Sequence, residues 1–372
     1  MLKRIYVAAT SQHVGKTTST LGLVAALRQR GINVGYCKPV GQKFVDLGEL
    51  LVDKDALLFS KIMDFRLASE IHSPVILGKG ATQAYLDNPQ AFPYREKILK
   101  AAEWLHRYHD AVVFEGTGHP GVGSVVDLSN AEVAKLLGAS VIMVVEGGIG
   151  STIDRLNMCT SLFREYKVPI IGVIVNKVLP DKAEKVQYYV RKWLDDKGIP
   201  LLGVLPYDRS LSDPIMATIK DAVGGQVLYN EDMLDNRVED IVPGSLVEMH
   251  DLTKERNILL VVSHHRLCEA LDKVEQLTAH VELDKSPLSG IILTRDGRHP
   301  NSFFTSVPCD EYVRKHRIPV VSTSLDTFGS VVKISKIEVK INTRTPWKAY
   351  RAIELIRQHV DLEAITQASC IE

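Results

Sequence analysis

Short apolar runs alternate with helical periodicity along the first two thirds of this chain. Ile5–Ala9, Val34–Lys38, Ala111–Glu115, Val141–Val145, Ile170–Val175 and Leu201–Val204 are brief, β-branched and almost wholly apolar. Such runs suit strands of a parallel sheet covered on both faces. Between them, Thr17–Arg30, Ala131–Leu137, Thr152–Glu165 and Lys182–Asp196 read as helices, with Gly31, Gly138, Pro169 and Pro200 at the joints. The pattern predicts a doubly wound α/β domain ending near Ala222, so residues 1–222 form the first domain. From Gly224 to about Glu255 the rhythm breaks into an acidic, loop-like stretch. A second α/β pattern then begins. Strands are expected at Ile258–Val262, Leu288–Thr294 and Ile318–Ser322, and helices at Leu267–Leu277, Cys309–Lys315, Thr327–Lys333 and Pro346–His359. Residues 223–372 are therefore read as a smaller second domain that includes the C-terminal helix.

Composition adds exclusions. The chain has 372 residues, 45% of them hydrophobic and 24% charged, and its formal net charge is zero. With no basic excess to neutralise phosphates, nucleic acid is not the expected partner. No apolar run approaches the roughly 20 residues a membrane helix needs, and no leader segment is read at the N-terminus. The five cysteines (Cys37, Cys159, Cys268, Cys309, Cys370) have no paired spacing, so free thiols in a cytoplasmic protein are expected.

The first strand runs into Thr10-Ser11-Gln12-His13-Val14-Gly15-Lys16-Thr17-Thr18, and a helix follows at once. Strand, loop and helix in that order define a phosphate-binding loop. Backbone N–H groups from His13 to Thr18 and the positive end of the helix would cradle phosphate oxygens. Lys16 would reach the β- and γ-phosphates, and the Thr17 hydroxyl would ligate Mg²⁺. The usual loop has glycine where this chain has Thr10, so Ala9 or Thr10 is expected to make that turn.

Other residues at strand ends fit the same chemistry. Lys38, before Pro39-Val40, is placed beside the loop and could neutralise a carboxylate or a transferring phosphoryl group. Asp53 and Asp55 offer carboxylates at a helix start. Glu115, ending Val112-Val113-Phe114 and followed by Gly116-Thr117-Gly118, is placed to order Mg²⁺ or its water. In Glu146-Gly147-Gly148-Ile149-Gly150, followed by Ser151 and Thr152, the two hydroxyls offer a helix cap. Asn176 closes another strand and can present donor and acceptor to adenine, or simply end a turn. In the second domain, Ser263-His264-His265-Arg266 and Thr294 to Pro300 offer an anion site or a solvated polar rim.

Residues 1 to about 222 resemble the ATPase domain of dethiobiotin synthetase. The likeness rests on Ala9–Thr18, Lys38-Pro39-Val40, Asp55-Ala56, Glu115-Gly116 and Asn176. The resemblance implies ATP and Mg²⁺ as cofactors. It places Lys16 and Lys38 on phosphate and carbamate, Thr17, Asp55 and Glu115 on the metal, and Asn176 on adenine. It also implies a homodimer, since the family's substrate pocket lies at a dimer interface. Over nearly the whole chain the sequence also resembles long-type phosphate acetyltransferases, which join such a domain to a DRTGG domain. Gly116–Ser124, Lys38–Gln42 and Asp326-Thr327-Phe328 carry that likeness. Gly41-Gln42-Lys43 departs from the synthetase's small Ser-containing loop, and Ser263-His264-His265-Arg266 departs from the Gly-Asp-Arg loop of DRTGG domains. Cys268 lacks the flanking glycines of a glutaminase nucleophile. Two functions follow: phosphorylation of a carboxylate or carbamate of a small substrate, or a regulatory nucleotide-binding module.

Overall fold

A computed structural model describes residues 3–46, 48, 51–244, 256–280, 285–295 and 303–368. Two compact units are present, one of residues 1–208 with 341–372 and one of residues 209–340.

The first unit is built on six parallel strands: β1 (Arg4–Ala9), β2 (Val34–Cys37), β3 (Ala111–Glu115), β4 (Ser140–Glu146), β5 (Ile170–Val178) and β6 (Leu201–Pro206). Their order is β6-β5-β4-β1-β3-β2. Chain order reverses around β1, which lies between β3 and β4. Ligands of such sheets bind at the carboxyl ends of the strands where the order reverses. The central strands are buried on both faces, as their unbroken apolar runs require.

The helices of this unit include α1 (Lys16–Gln29), α2 (Lys54–Met63), α3 (Tyr94–Tyr108), α4 (Asn130–Leu137), α5 (Gly150–Glu165) and α6 (Ala183–Asp195). Helix α3 escaped the sequence reading, yet it has an amphipathic face: Ile98, Ala101, Ala102 and Leu105 all point into the core. Ser129 and Glu132 form a reciprocal capping box at the start of α4, and Gly138 ends that helix in the left-handed region. Helix α5 begins at Gly150 with neither Ser151 nor Thr152 as its cap; the Thr152 hydroxyl donates instead to the Glu146 carbonyl, at 2.8 Å.

The second unit contains α7 (Met216–Ala222), β7 (Gln226–Tyr229), β8 (Asp240–Pro243), β9 (Ile258–Ser263), α8 (Leu267–His280), β10 (Leu288–Thr294), α9 (Asp310–Lys315), β11 (Val320–Ser322) and α10 (Thr327–Ser335). Its sheet runs β7-β11-β10-β9-β8, with only β7 antiparallel. Helices α8 and α9 pack on one face and α7 and α10 on the other.

Four expectations are corrected. The division at residue 222 moves to 208, because α7 packs into the second unit's core through Met216, Ala217 and Ile219. The helix Pro346–His359 (α11), read from sequence into the second domain, belongs to the first unit. It lies across α1 at Gly22, where a Cβ would come within 2.3 Å of the Ile356 side chain. The cause is visible in α1 itself. Every residue from Ser19 to Leu27 is buried, and a helix buried all round needs a cover on its outer side. The third correction is that residues 226–229 and 240–243, read as loop, are strands; both are short, partly exposed edges with weak apolar signal. Lastly, Cys268 and Cys309 form a disulfide across 41 residues, which no local spacing could reveal. Cys37 and Cys159 are free and buried. Cys370 and the loop Asp296–Pro300 lie outside the described residues.

Candidate functional site

The phosphate loop links β1 to α1. Thr10 does not turn the chain: its N–H bonds the Val144 carbonyl at 3.1 Å and prolongs the sheet. Neither Ala9 nor Thr10 has positive φ. The reversal falls on His13 (φ 62°) and Gly15 (φ 92°), on either side of Val14, which corrects the expectation for Ala9 or Thr10. Gly15 is required twice over. Its φ is left-handed, and a Cβ there would sit 2.0 Å from the Asn176 amide nitrogen.

Two residues at the end of β5 grip the loop from behind. Asn176 Nδ2 donates to the Val14 carbonyl at 2.8 Å, and Lys177 Nζ to the His13 carbonyl at 2.6 Å. Lys177 also pairs with Glu146 at 3.3 Å. Asn176 Oδ1 accepts from the Lys177 N–H at 2.8 Å. Asn176, named from sequence as an adenine contact, is buried and braces the loop in this structure. Lys177 and Glu146 carried no separable signal beyond standing at strand ends.

In front of the loop the sheet brings charged side chains together. The Thr17 hydroxyl donates to Glu115 Oε1 at 2.7 Å, and the Tyr36 hydroxyl to Oε2 at 3.1 Å. Lys38 Nζ lies 3.7 Å from the same Oε1 and 3.7 Å from Asp53 Oδ1, and bonds directly to Asp55 Oδ2. Lys16 Nζ donates to the Gly118 carbonyl at 3.4 Å. Asp53 caps α2 by accepting from the Asp55 N–H at 2.8 Å, which fixes the Asp53 carboxylate. Gly41 makes room for this packing, since a Cβ there would come within 2.6 Å of Asp53 Oδ2.

Burial sets the electrostatics. Glu115 is wholly buried, and desolvation raises its pKa despite the opposing pull of Lys38. Asp53 is raised for the same reason. Burial alone would lower the pKa of Lys38, but Asp55, Glu115 and Asp53 together hold it well above its ordinary value. The ammonium is thus charged, and three carboxylates share it.

A further network, missed from sequence, shapes the loop after β3. Asn130 Oδ1 accepts from the Tyr6 hydroxyl at 2.8 Å and the Thr117 N–H at 2.9 Å. Its Nδ2 donates to the carbonyls of Thr117 at 2.8 Å and His119 at 2.6 Å. Three of the four hydrogen bonds of this buried amide hold Gly116–His119 beside Lys16, and the fourth goes to Tyr6.

Of the residues named from sequence, His13, Val14, Gly15, Lys16, Thr17 and Thr18 form the loop and first turn. Thr17, Lys38, Asp55 and Glu115 converge in front of it, and Asn176 stands behind. In the second unit His264 and Arg295 meet around Phe304. The His264 ring stacks on Phe304 with centroids 4.1 Å apart, and the Arg295 guanidinium lies 3.8 Å from the same ring centre.

This sheet order, with a phosphate loop after the central strand and an acid ending its neighbour, defines a P-loop nucleotide-binding fold. A family model described as an AAA domain matches residues 3–215, and the chain belongs to that family. A phosphate acetyltransferase from Synechocystis sp. is 23% identical over 98% of this chain and 51% of its own length. One from Nitrosomonas europaea is likewise 23% identical, over 97% of this chain and 51% of its own length. The chain thus spans about half the length of these relatives. The ATP-dependent dethiobiotin synthetase BioD of Thermodesulfovibrio yellowstonii is 25% identical over 61% of this chain and 95% of its own. Among solved structures, the MinD cell division protein of Aquifex aeolicus aligns with a TM-score of 0.37 and 15% identity, covering 56% of this chain and 84% of that one. Among the described residues, no helix is long and apolar enough to cross a membrane.

Proposed function

We propose that the first unit binds ATP with Mg²⁺ and uses it to phosphorylate a carboxylate or carbamate of a small substrate. The observation that carries this reading is the meeting of Thr17, Asp55, Glu115 and Lys38 in front of a phosphate loop. The donor set fits a hard divalent cation: one hydroxyl and buried carboxylate oxygens in excess of the ammonium charge. Among the described residues no three His, Cys, Asp or Glu side chains form a ready metal cage. Mg²⁺ keeps several waters and needs only one or two carboxylates besides phosphate oxygens. Thr17, Asp55 and Glu115 would hold the metal, which would neutralise charge on the phosphate oxygens. Lys16 would stabilise charge on the β- and γ-phosphates, and Lys38 would hold the acceptor carboxylate or carbamate. Asn176 and Lys177 keep the loop carbonyls turned back, leaving its N–H groups for the anion.

Lys16→Ala should lower ATP affinity about 10- to 100-fold, the value of a charge-assisted contact of about 1.5–3 kcal/mol. Calorimetry showing unchanged binding would end the nucleotide reading. On diaminopelargonate with bicarbonate, little or no dethiobiotin should form. Gln42 and Lys43, both exposed and four and five residues after Lys38, stand where the synthetase has small residues. Robust product formation would restore that family's own reaction.

The alternative reading is a regulatory nucleotide-binding module, with the second unit as a DRTGG-like domain. The match to phosphate acetyltransferases over nearly the whole chain favours it. ATPase rates that no acid or amine stimulates would support it over the enzyme. We further propose a homodimer through the first unit, which a strictly monomeric mass at micromolar concentration would overturn.

A further inference from the structure

We propose that Lys38 is the resident counter-ion of the carboxylate cluster and competes with the divalent cation for it, so that metal binding depends on nucleotide. The proposal rests on the ATP·Mg²⁺ reading above and adds an order of events to it.

Three of the four side chains concerned are almost wholly buried. Side-chain exposure is 7% for Lys38, 2% for Asp53 and 0% for Glu115, and 21% for Asp55. The ammonium reaches all three carboxylates at once. Glu115 Oε1, the oxygen that accepts from the Thr17 hydroxyl, is also the one facing Lys38. A cation held by Thr17, Asp55 and Glu115 therefore draws on the oxygens that Lys38 already uses. Two cations sharing those oxygens repel strongly at such short range in a poorly solvated site. One of them must withdraw.

The geometry also supplies the trigger. Lys38 is fixed at its main chain, where its N–H bonds the His72 carbonyl at 2.9 Å, while its side chain is a flexible stem. It can leave the carboxylates only if another anion receives it, because an unpaired buried ammonium is costly. The terminal phosphate on the adjacent loop, or an acceptor carboxylate beside it, is such an anion. Metal and polyphosphate then enter together, and the lysine passes from the carboxylates to the group being transferred. Without nucleotide, Lys38 shields the carboxylates from free divalent ions.

The test uses Mn²⁺, a paramagnetic stand-in that favours the same oxygen ligands, titrated into the full chain and followed by electron paramagnetic resonance. Without nucleotide, Lys38→Met should bind Mn²⁺ at least 10-fold more tightly than the parent. With ATP present that advantage should vanish, since Lys38 no longer occupies the carboxylates. Lys38→Gln, which keeps a hydrogen-bond donor but no charge, should behave as Lys38→Met. Removing the counter-ion also weakens the fold, so Mn²⁺ should raise the melting temperature of either variant more than that of the parent. Equal or weaker Mn²⁺ binding by both folded variants would overturn the proposal. The competition is read in nucleotide-free protein, whereas Lys16→Ala tests ATP affinity. Failure of one is therefore distinguishable from failure of the other.

Discussion

Both units place polar side chains at the carboxyl ends of parallel strands, but they spend them differently. After β1, β2 and β3 stand Thr17, Lys38 and Glu115, where three carboxylates share one buried ammonium. After β9, β10 and β11 stand His264, Arg295 and Thr323, and here the groups are consumed internally. Phe304 is stacked by His264 and covered by Arg295. Arg295 Nη2 donates to the Phe303 carbonyl at 2.8 Å, and the Phe304 N–H to Ser322 Oγ at 2.9 Å. Thr294 and Thr327 share a hydrogen bond of 3.0 Å, and a disulfide joins the start of α8 to the start of α9. A strand end is a place where a ligand can bind. The first unit leaves three carboxylates to one ammonium at such a place, whereas the second pairs its groups with one another.

The sharpest way to break this comparison is Glu115→Ala. It removes the oxygen that faces both Thr17 and Lys38, so Mg²⁺ should no longer strengthen ATP binding. A loss of about 10- to 100-fold in Mg²⁺·ATP affinity is expected, with affinity in EDTA nearly unchanged. Calorimetry with and without the metal gives both values. A loss equal in the two conditions would assign Glu115 to the nucleotide rather than to the metal.

Cys268→Ser probes the other region. Opening a disulfide that spans 41 residues should cost about 2–4 kcal/mol of the second unit's stability. ATP affinity should not change. Denaturant titration with and without a dithiol reductant measures the first, calorimetry the second. A parallel fall in ATP affinity would show that the regions are coupled. The smallest effect is expected from Phe304→Leu, which loses the stack and the cation–π contact and should cost about 0.5–2 kcal/mol. Again ATP affinity should hold.

The sequence carried much of the first region because its chemistry is local. The strand Val112–Phe114 ends in an acid followed by glycine, and a lone buried acid demands a reason. Lys38 and Asp55 follow the same logic at other element ends. What escaped depended on distance. The pairing of Cys268 with Cys309 and the cover over α1 join residues far apart in the chain. The bracing by Lys177 needed the loop's path, and that path turned at His13 rather than at Thr10. The strands at 226–229 and 240–243 were missed because half-exposed edges lack the apolar runs that marked the centre.

The return of α11 to α1 bears on how the polypeptide comes off the ribosome. Residues 209–340 are inserted between the two segments of the first unit, so that its covering helix is made after the second unit. Segments generally fold as they emerge, N-terminal first. Here the first unit cannot close over Gly22 until Ile356 has been synthesised, by which time the inserted unit is complete. A nascent chain halted near residue 340 should therefore carry a folded second unit beside an unfinished first one with the outer face of α1 bare. Truncation before Pro346 should therefore leave α1 uncovered and weaken the phosphate loop at its start.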